Sequence, residues 1–338
     1  MNKFETVDMQ QIADMTGVSR STVSRALSGS PLVSFKTRDL IINAAKQTGY
    51  VMNTAARNFR LGRTGVIAVV LTLEHDSPQT INDPFFMEII AEIAEYLRQR
   101  NYNTLIAHER LDDASSFLQS QTVSASDGVI FIGQGKKHEA LNELANSGFP
   151  IAVWGDATLD CDYTVVGCDN RQGGYLAAKH LIEQCHRKHL AFLGDTHFPE
   201  PQARFKGYLD ALQEAGLAET NSPLHINISF DPSTAQKALE EFFTRETEVD
   251  GIVCCSDLIA IAAISAAQRA GKSVPNDVSV IGFDNISLSQ LISPQLTTVA
   301  QPIAAGAKSM CESIFAQLSG ERPRDDISQA QLIIRDSA

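Results

Sequence analysis

The stretch DMQQIADMTGVSRSTVSRAL (residues 8–27) has the pattern of two short amphipathic helices joined by a tight turn. Asp8 is a favourable N-cap for the first helix, and Ser19 is one for the second. Between them, Gly17 can adopt the positive φ that such a turn requires. The stretch therefore predicts a helix-turn-helix unit at the start of the chain.

A third helix is predicted from about Ser34 to Gln47, with Gly49 ending it. Apolar residues at helical spacing predict one small core shared by the three helices. The predicted core residues are Ile12, Ala13, Met15, Val23, Ala26, Leu27, Leu40, Ile41 and Ala44.

Charge is divided unevenly along the chain. The 338 residues have a formal net charge of −12, yet residues 1–63 contain nine Lys or Arg and four Asp or Glu, a net of +5. The remainder carries a net of −17. A small basic segment beside a large acidic one indicates that only the first contacts a polyanion.

The second predicted helix presents small hydroxyls and two arginines on its polar face. Arginine can bond guanine with two hydrogen bonds in the major groove, and small hydroxyls contact phosphates or base edges. Double-stranded DNA is therefore the expected partner, and a purely structural three-helix cap is the alternative. The predicted DNA-contacting residues here are Ser19, Arg20, Ser21, Thr22 and Arg25.

The basic segment NTAARNFRLGRTG (residues 53–65) is too short to form a stable helix alone in water. Asn53 could cap a helix in which Ala56 and Phe59 share a face. Such a face could enter a minor groove, where an aromatic ring can wedge between base steps. Packing of Phe59 against the rest of the protein is the alternative.

From Val66 onward, apolar runs alternate with amphipathic segments. Predicted strands cover residues 66–72, 103–109, 127–133, 150–155, 163–169, 189–194, 224–230, 250–256 and 278–284. Predicted helices cover residues 84–100, 171–184, 202–216, 232–245 and 257–271. Strands that are apolar throughout are buried on both faces, which is typical of parallel sheets. The pattern predicts an α/β core of two doubly wound parallel-sheet lobes.

Polar residues follow several of these strands, where parallel sheets bind ligands. The predicted effector contacts among them are Gln134, Asp156, Ser256 and Asp284, and Trp154 lies close to one strand end. Asp195, Asp257 and Asn285 also follow strands. Carboxylates and amides beside an aromatic ring suit a polyhydroxylated ligand such as a sugar. Two alternatives stay open: Trp154 can belong to the core, and Asp257 can simply cap the next helix.

The quoted stretch, continued through VSFKTRDLIINAAKQTGY, resembles the headpiece of the lac/gal repressor family over residues 7–63. The resemblance extends over NDPFFMEIIAEIAEYL, ARFKGYLDAL and VSVIGFDN as a periplasmic-binding-protein-like core. It implies a homodimeric repressor that leaves a pseudo-palindromic operator when a sugar binds between the lobes. It also implies that Arg20 and Ser21 read bases, and that Phe86, Arg204 and Asp284 contact the effector.

The resemblance further implies a division of the chain. The expected parts are a headpiece (1–52), a hinge helix (53–65) and a core (66–338). The expected lobes are residues 66–165 with 297–325, and residues 166–296 with 326–338.

Other chemistries have little support. Six cysteines without framework spacing, and an N-terminus without an apolar run, indicate a cytoplasmic protein with reduced thiols. CHRKH (185–189) could be a metal site and GQGKKH (133–138) a phosphate loop, but neither motif is complete. No cofactor, catalytic residue or membrane segment is expected. The remaining alternatives are a corepressor-dependent regulator, a free-standing sugar-binding protein and a glycoside-processing enzyme.

Overall fold

The computed structural model describes residues 7–27, 30–50, 62–73, 79–107, 110–157, 160–218, 224–229, 232–246 and 248–338. The chain divides into two compact units, Met1–Thr64 and Gly65–Ala338. Within the part of the chain so described, no helix is long and apolar enough to cross a membrane. All six cysteines are free thiols.

Among its described residues, the first unit has three helices: α1 (Met9–Thr16), α2 (Arg20–Leu27) and α3 (Phe35–Thr48). Asp8 caps α1 through a capping box, in which its carboxylate accepts the Gln11 N–H at 2.8 Å and the Gln11 side chain accepts the Asp8 N–H. Gly17 ends α1 with φ of 69°, which produces the tight turn. The predicted helix-turn-helix geometry is confirmed.

Two predicted core residues of this unit lie at the surface, and Val33 joins the core without having been predicted. Ile12, Val23 and Ile41 are among its buried side chains. Met15 is 57% exposed and Leu40 is 52% exposed, so neither belongs to the core. In helices this short, the residues that touch a neighbour depend on the crossing angle, which periodicity alone does not determine.

Across its described residues, the second unit has twelve strands in two six-stranded sheets. The first sheet has the order β11-β5-β4-β3-β1-β2, and all its described pairings are parallel. Its strands are β1 (Val66–Leu71), β2 (Asn103–Ala107), β3 (Gly128–Ile132), β4 (Ile151–Trp154), β5 (Thr164–Cys168) and β11 (Asp326–Ser328). Its helices are α4 (Pro84–Gln99), α5 (Ala114–Leu118), α6 (Gln121–Ala125), α7 (His138–Asn146) and α12 (Ile303–Leu318).

Successive side chains of β1 enter different cores, as expected for a sheet covered on both faces. Ile67 and Val69 pack with α4 and α12, whereas Ala68 and Val70 pack with residues of α5 and α7. The apolar pattern of this strand therefore reflects burial on both faces of the sheet, as predicted.

The second sheet has the order β12-β10-β9-β8-β6-β7, and only β12 is antiparallel among the described strands. Its strands are β6 (Leu190–Leu193), β7 (Leu224–Ile226), β8 (Gly251–Cys254), β9 (Ser279–Asp284), β10 (Thr297–Ala300) and β12 (Gln331–Ile333). Its helices are α8 (Asn170–Glu183), α9 (Pro199–Glu214), α10 (Pro232–Arg245) and α11 (Asp257–Arg269), and a 3-10 turn covers Ser287–Gln290.

The chain passes between the lobes after β5, after β10 and after β11. Three segments of the predicted lobes are thereby corrected. Residues 166–168 are part of β5 and belong to the first lobe. Residues 297–300 pair with β9 and belong to the second lobe, whereas residues 326–328 pair with β5 and belong to the first. Strands β10 and β11 are short, so a sequence pattern does not show which sheet they join.

Helices α8 and α9 pack with their backbones in contact because glycines stand at the crossing. A Cβ on Gly174 would lie 1.9 Å from the Arg204 carbonyl oxygen, and one on Gly207 would lie 1.8 Å from that of Arg171. The missing side chains let α9 approach α8, and this approach determines where Arg204 enters the structure.

We expect Gly174→Ala to destabilise the second unit by about 1–3 kcal/mol, because the added methyl separates two backbones. The gain of about 0.5–1 kcal/mol from alanine's helix preference does not offset this clash. Urea unfolding measures the difference. Gln202→Ala, on the exposed face of α9, is the control and should change stability by less than about 0.5 kcal/mol. An unchanged midpoint for Gly174→Ala would contradict the close-contact interpretation.

Candidate functional site

The second helix of the first unit has one buried and one exposed face. Val23 and Ala26 are buried, while Arg20, Ser21 and Arg25 are exposed. Within the described part of the chain, neither of these two arginines forms an ion pair. The outward face thus presents two positive charges to solvent.

Hydroxyl groups order the start of this helix. The Ser19 hydroxyl lies 2.8 Å from that of Ser21 and 2.9 Å from that of Thr22, and it accepts the Thr22 N–H. The prediction that Ser19 is the N-cap of this helix is therefore confirmed. The predicted hinge residues Asn53, Ala56 and Phe59 lie outside the described residues.

A cleft in the second unit encloses about 740 Å³, including its open mouth. Residues of both lobes line it, at the carboxyl ends of strands and the N-terminal ends of α4 and α9. Its polar walls include Thr72, Gln79, Asp83, Glu200, Arg204, Ser256, Asp284 and Gln301, and its apolar walls include Leu73, Phe85, Phe86, Trp154 and Phe198.

Arg204 is buried in the cleft wall and is held from several sides. Its Nε donates to Asn170 Oδ1 at 2.8 Å, and its Nη1 donates to the Cys255 carbonyl. The guanidinium lies 3.8 Å from the centre of the Phe283 ring, and Nη1 lies 3.8 Å from Asp284 Oδ1. A buried charge fixed in this way is a rigid hydrogen-bond donor.

Asp284 faces Arg204 at the end of β9. Its Oδ1 accepts Gln301 Nε2–H at 2.6 Å. Burial raises the pKa of the Asp284 carboxyl, whereas the nearby Arg204 charge lowers it. Together, Arg204 offers hydrogen-bond donors to a ligand in the cleft and Asp284 offers acceptors beside them.

Two further carboxylates enter the cleft. Asp83 caps α4 by accepting the Phe85 N–H at 3.0 Å, and it accepts Gln79 Nε2–H at 2.9 Å. Glu200, in the first turn of α9, accepts the Gln134 backbone N–H of the opposite lobe at 3.3 Å. Burial raises the pKa of both carboxyls. With Asp284, the described lining of the cleft thus includes three acidic side chains and one arginine.

The apolar wall is aromatic. The rings of Phe85 and Phe86 are 5.8 Å apart, and those of Phe85 and Trp154 are 5.9 Å apart. Trp154 lies against Gly306, where a Cβ would stand 2.2 Å from the indole ring. Trp154 is thus both a core residue and part of the cleft wall. Rings opposite carboxylates suit a ligand with apolar C–H faces and hydroxyl edges.

Five of the seven predicted effector residues line the cleft: Phe86, Trp154, Arg204, Ser256 and Asp284. Gln134 and Asp156 do not. The fully buried Gln134 side chain pairs with the Asp156 backbone in both directions, at 2.9 and 3.0 Å, and it donates to the Tyr163 hydroxyl. The Asp156 carboxylate accepts Asn170 Nδ2–H at 2.8 Å, behind Arg204.

The alternative that Asp257 caps α11 is wrong, because the preceding residue is the cap. The Ser256 hydroxyl accepts the Ile259 N–H at 3.3 Å and caps the helix. Asp257 is the first helical residue and is fully buried, with its carboxylate pointing to β10 and the turn after β9.

Several cleft residues were not predicted, namely Gln79, Asp83, Phe85, Glu200 and Gln301. Asp83 and Glu200 had an available signal, since each stands at the start of a helix that follows a strand. Gln301 follows the short strand β10, which the apolar pattern did not reveal. Across the residues that the structure places, no three His, Cys, Asp or Glu side chains form a group able to hold a metal ion.

Comparison with known families gives two matches. Residues 8–53 match the model described as "Bacterial regulatory proteins, lacI family", and residues 178–338 match "Periplasmic binding protein-like domain". The ribose operon repressor of Haemophilus influenzae is 30% identical over 97% of this chain and 98% of its own length. The HTH-type transcriptional regulator CelR of Thermobifida fusca is 30% identical over the full length of both chains.

Solved structures agree with this fold. The complex of the transcriptional regulator CelR with cellobiose has a TM-score of 0.69 at 26% identity and covers 98% of this chain and 100% of its own. The lac repressor dimer bound to operator and the anti-inducer ONPF has a TM-score of 0.78 at 18% identity, covering 98% and 99%, and supports the fold alone. With a full-length relative at 30% identity and both characteristic domains in place, this chain belongs to the lacI family of bacterial regulatory proteins.

Proposed function

We propose that this protein is a repressor of carbohydrate-utilisation genes that acts in the cytoplasm, and that a sugar in the cleft releases it from its operator. The observation that carries the proposal is the Arg204–Asp284 pair facing an aromatic wall in one cleft. Relatives named for ribose and cellobiose support this ligand class. The protein acts by binding and not by catalysis.

The DNA-binding half of the proposal rests on the exposed face of α2. Arg20 and Ser21 read base edges in the major groove, with Ser19, Thr22 and Arg25 contacting phosphates or bases. Two copies of the chain place two such helices on a pseudo-palindromic site. Asn53, Ala56 and Phe59 stay predicted hinge contacts.

The regulatory half rests on a cleft that both lobes form. A ligand that contacts Phe86 and Trp154 on one lobe, and Arg204 and Asp284 on the other, binds best to one arrangement of the lobes. It shifts operator affinity only by the difference between its affinities for the two arrangements. Titrating sugars onto the protein–DNA complex gives the sign, because release identifies an inducer and tightening identifies a corepressor.

We expect Arg20→Ala to weaken binding to the preferred duplex by about tenfold to a hundredfold, with less effect on random DNA. The preferred duplex comes from selection on a random pool with the full chain, and fluorescence anisotropy measures affinity. Lys46→Ala, in the last turn of α3, is the matched loss of one positive charge. Equal losses on both DNAs would refute base reading by Arg20.

We expect Arg204→Ala to abolish the sugar response while leaving operator affinity within about twofold, because the guanidinium lies in the cleft and not on the headpiece. Arg171→Ala is the control, since Arg171 lies on the same pair of helices but pairs with Asp210 at the surface. A full sugar response in Arg204→Ala would remove this residue from the effector site.

The excess of carboxylates predicts discrimination against anions. Among the described lining residues Arg204 is the one basic side chain, and Asn170, the Cys255 carbonyl and Asp284 already hold it. A phosphorylated sugar would therefore lose the hydration of its phosphate with little compensation, and should bind at least about tenfold more weakly than the parent sugar. Quenching of Trp154, the only tryptophan in the chain, reports binding. Ribose against ribose 5-phosphate and glucose against glucose 6-phosphate are suitable pairs. Tighter binding of either phosphate would contradict the charge argument.

A further inference from the structure

The turn after β9 has a backbone that side chains disfavour. Asp284 has φ of 121° and Asn285 has φ of 60°. Asparagine tolerates the left-handed region, but an aspartate at 121° occupies a conformation that favours glycine. Such a backbone persists where surrounding contacts hold it. Since Asp284 faces Arg204 in the cleft, the contacts that hold the turn also determine the shape of the ligand site.

A buried carboxylate lies directly behind this turn. Asp257 is fully buried, its Oδ2 accepts the Ile286 N–H at 2.9 Å, and its Oδ1 accepts the Thr298 hydroxyl. Burial raises the pKa of the Asp257 carboxyl to about 7, while these bonds and the Arg335 charge lower it. Gly282 leaves room for the carboxylate, because a Cβ there would lie 2.2 Å from Asp257 Oδ1.

Three other residues, from different parts of the chain, also hydrogen-bond to this turn or to the residue after it. Arg335 donates to the Asn285 side chain at 2.6 Å, and the Gln301 N–H donates to the Asp284 carbonyl at 3.2 Å. The Ser287 N–H donates to Glu88 of the first lobe at 2.8 Å. Asp257 joins the turn to β10 from the interior, and it is not among the residues that line the cleft.

We propose that Asp257 is a positioning residue of the effector site: it clamps the Asp284–Ile286 turn so that the Asp284 carboxylate faces Arg204 and Gln301. It acts through the backbone and does not touch the ligand. The proposal rests on the proposed function only in taking the cleft as the effector site. The clamp itself is a property of the chain without ligand.

Hydrogen exchange of the full chain tests the clamp. Asp257→Asn keeps the shape but removes the charge and one of the two acceptor oxygens, so the Ile286 N–H and the Thr298 hydroxyl no longer each donate to a carboxylate oxygen. The amides of residues 285–287 should then exchange at least about tenfold faster, while β8 stays protected. Ile264→Val, a core change in the same helix, is the control for general destabilisation. Should Asp257→Asn fold poorly, Thr298→Val removes one partner of the clamp, and Thr298→Ser should retain parental exchange. Unchanged exchange at residues 285–287, or a rise equal to the control's, would overturn the proposal.

Sugar affinity tests the consequence for the site. Using the sugar that quenches Trp154 most strongly, Asp257→Asn should bind at least about tenfold more weakly, with operator affinity unchanged. Thr298→Ser should bind like the parent and Thr298→Val more weakly. Faster exchange with parental affinity would show that the turn does not position Asp284. If no sugar binds the parent chain, the proposed function fails, while the exchange result still decides whether Asp257 clamps the turn.

Discussion

The buried guanidinium of Arg204 is the contact on which the cleft depends. A charge removed from water is stable only when it is paired and hydrogen-bonded, and Arg204 meets this condition through Asn170, the Cys255 carbonyl and Asp284. These partners follow different strands of the sequence, so the site forms only when the strand ends come together. The glycine contact between α8 and α9 has the same role, because it determines the depth at which Arg204 enters.

The surroundings of Arg204 also connect the lobes. Asn170 accepts from Arg204 and donates to Asp156, which follows β4 of the first lobe. The orientation of the guanidinium therefore depends on a residue across the cleft. Asp156 does not line the cleft, but through Asn170 it influences the orientation of Arg204, which does.

The sequence predicted the elements whose signals are local. Apolar runs located nine of the twelve strands described in the second unit, and side-chain caps at Asp8 and Ser19 located helix starts. The missed strands β10 (TTVA), β11 (DIS) and β12 (QLI) are short and contain polar residues, so no apolar run marks them. The site residues were predictable to the same extent. The end of a strand indicated Asp284 correctly, but the Gln134 side chain packs beside Gly155 and Tyr163 and not in the cleft, and such neighbours are not visible in a local pattern.

The lobes are joined by hydrogen bonds that a ligand can favour or oppose. Glu200 accepts from the Gln134 backbone and Glu88 from the Ser287 backbone, each across the cleft. Both hydrogen bonds are directional, and the Glu200 bond is already long at 3.3 Å, so a small rotation of one lobe is enough to break it. Glu200 also lines the cleft, so a ligand hydroxyl that donates to it competes with the Gln134 bond or adds to it. The balance between these outcomes determines which lobe arrangement the ligand stabilises, and hence the direction of the response.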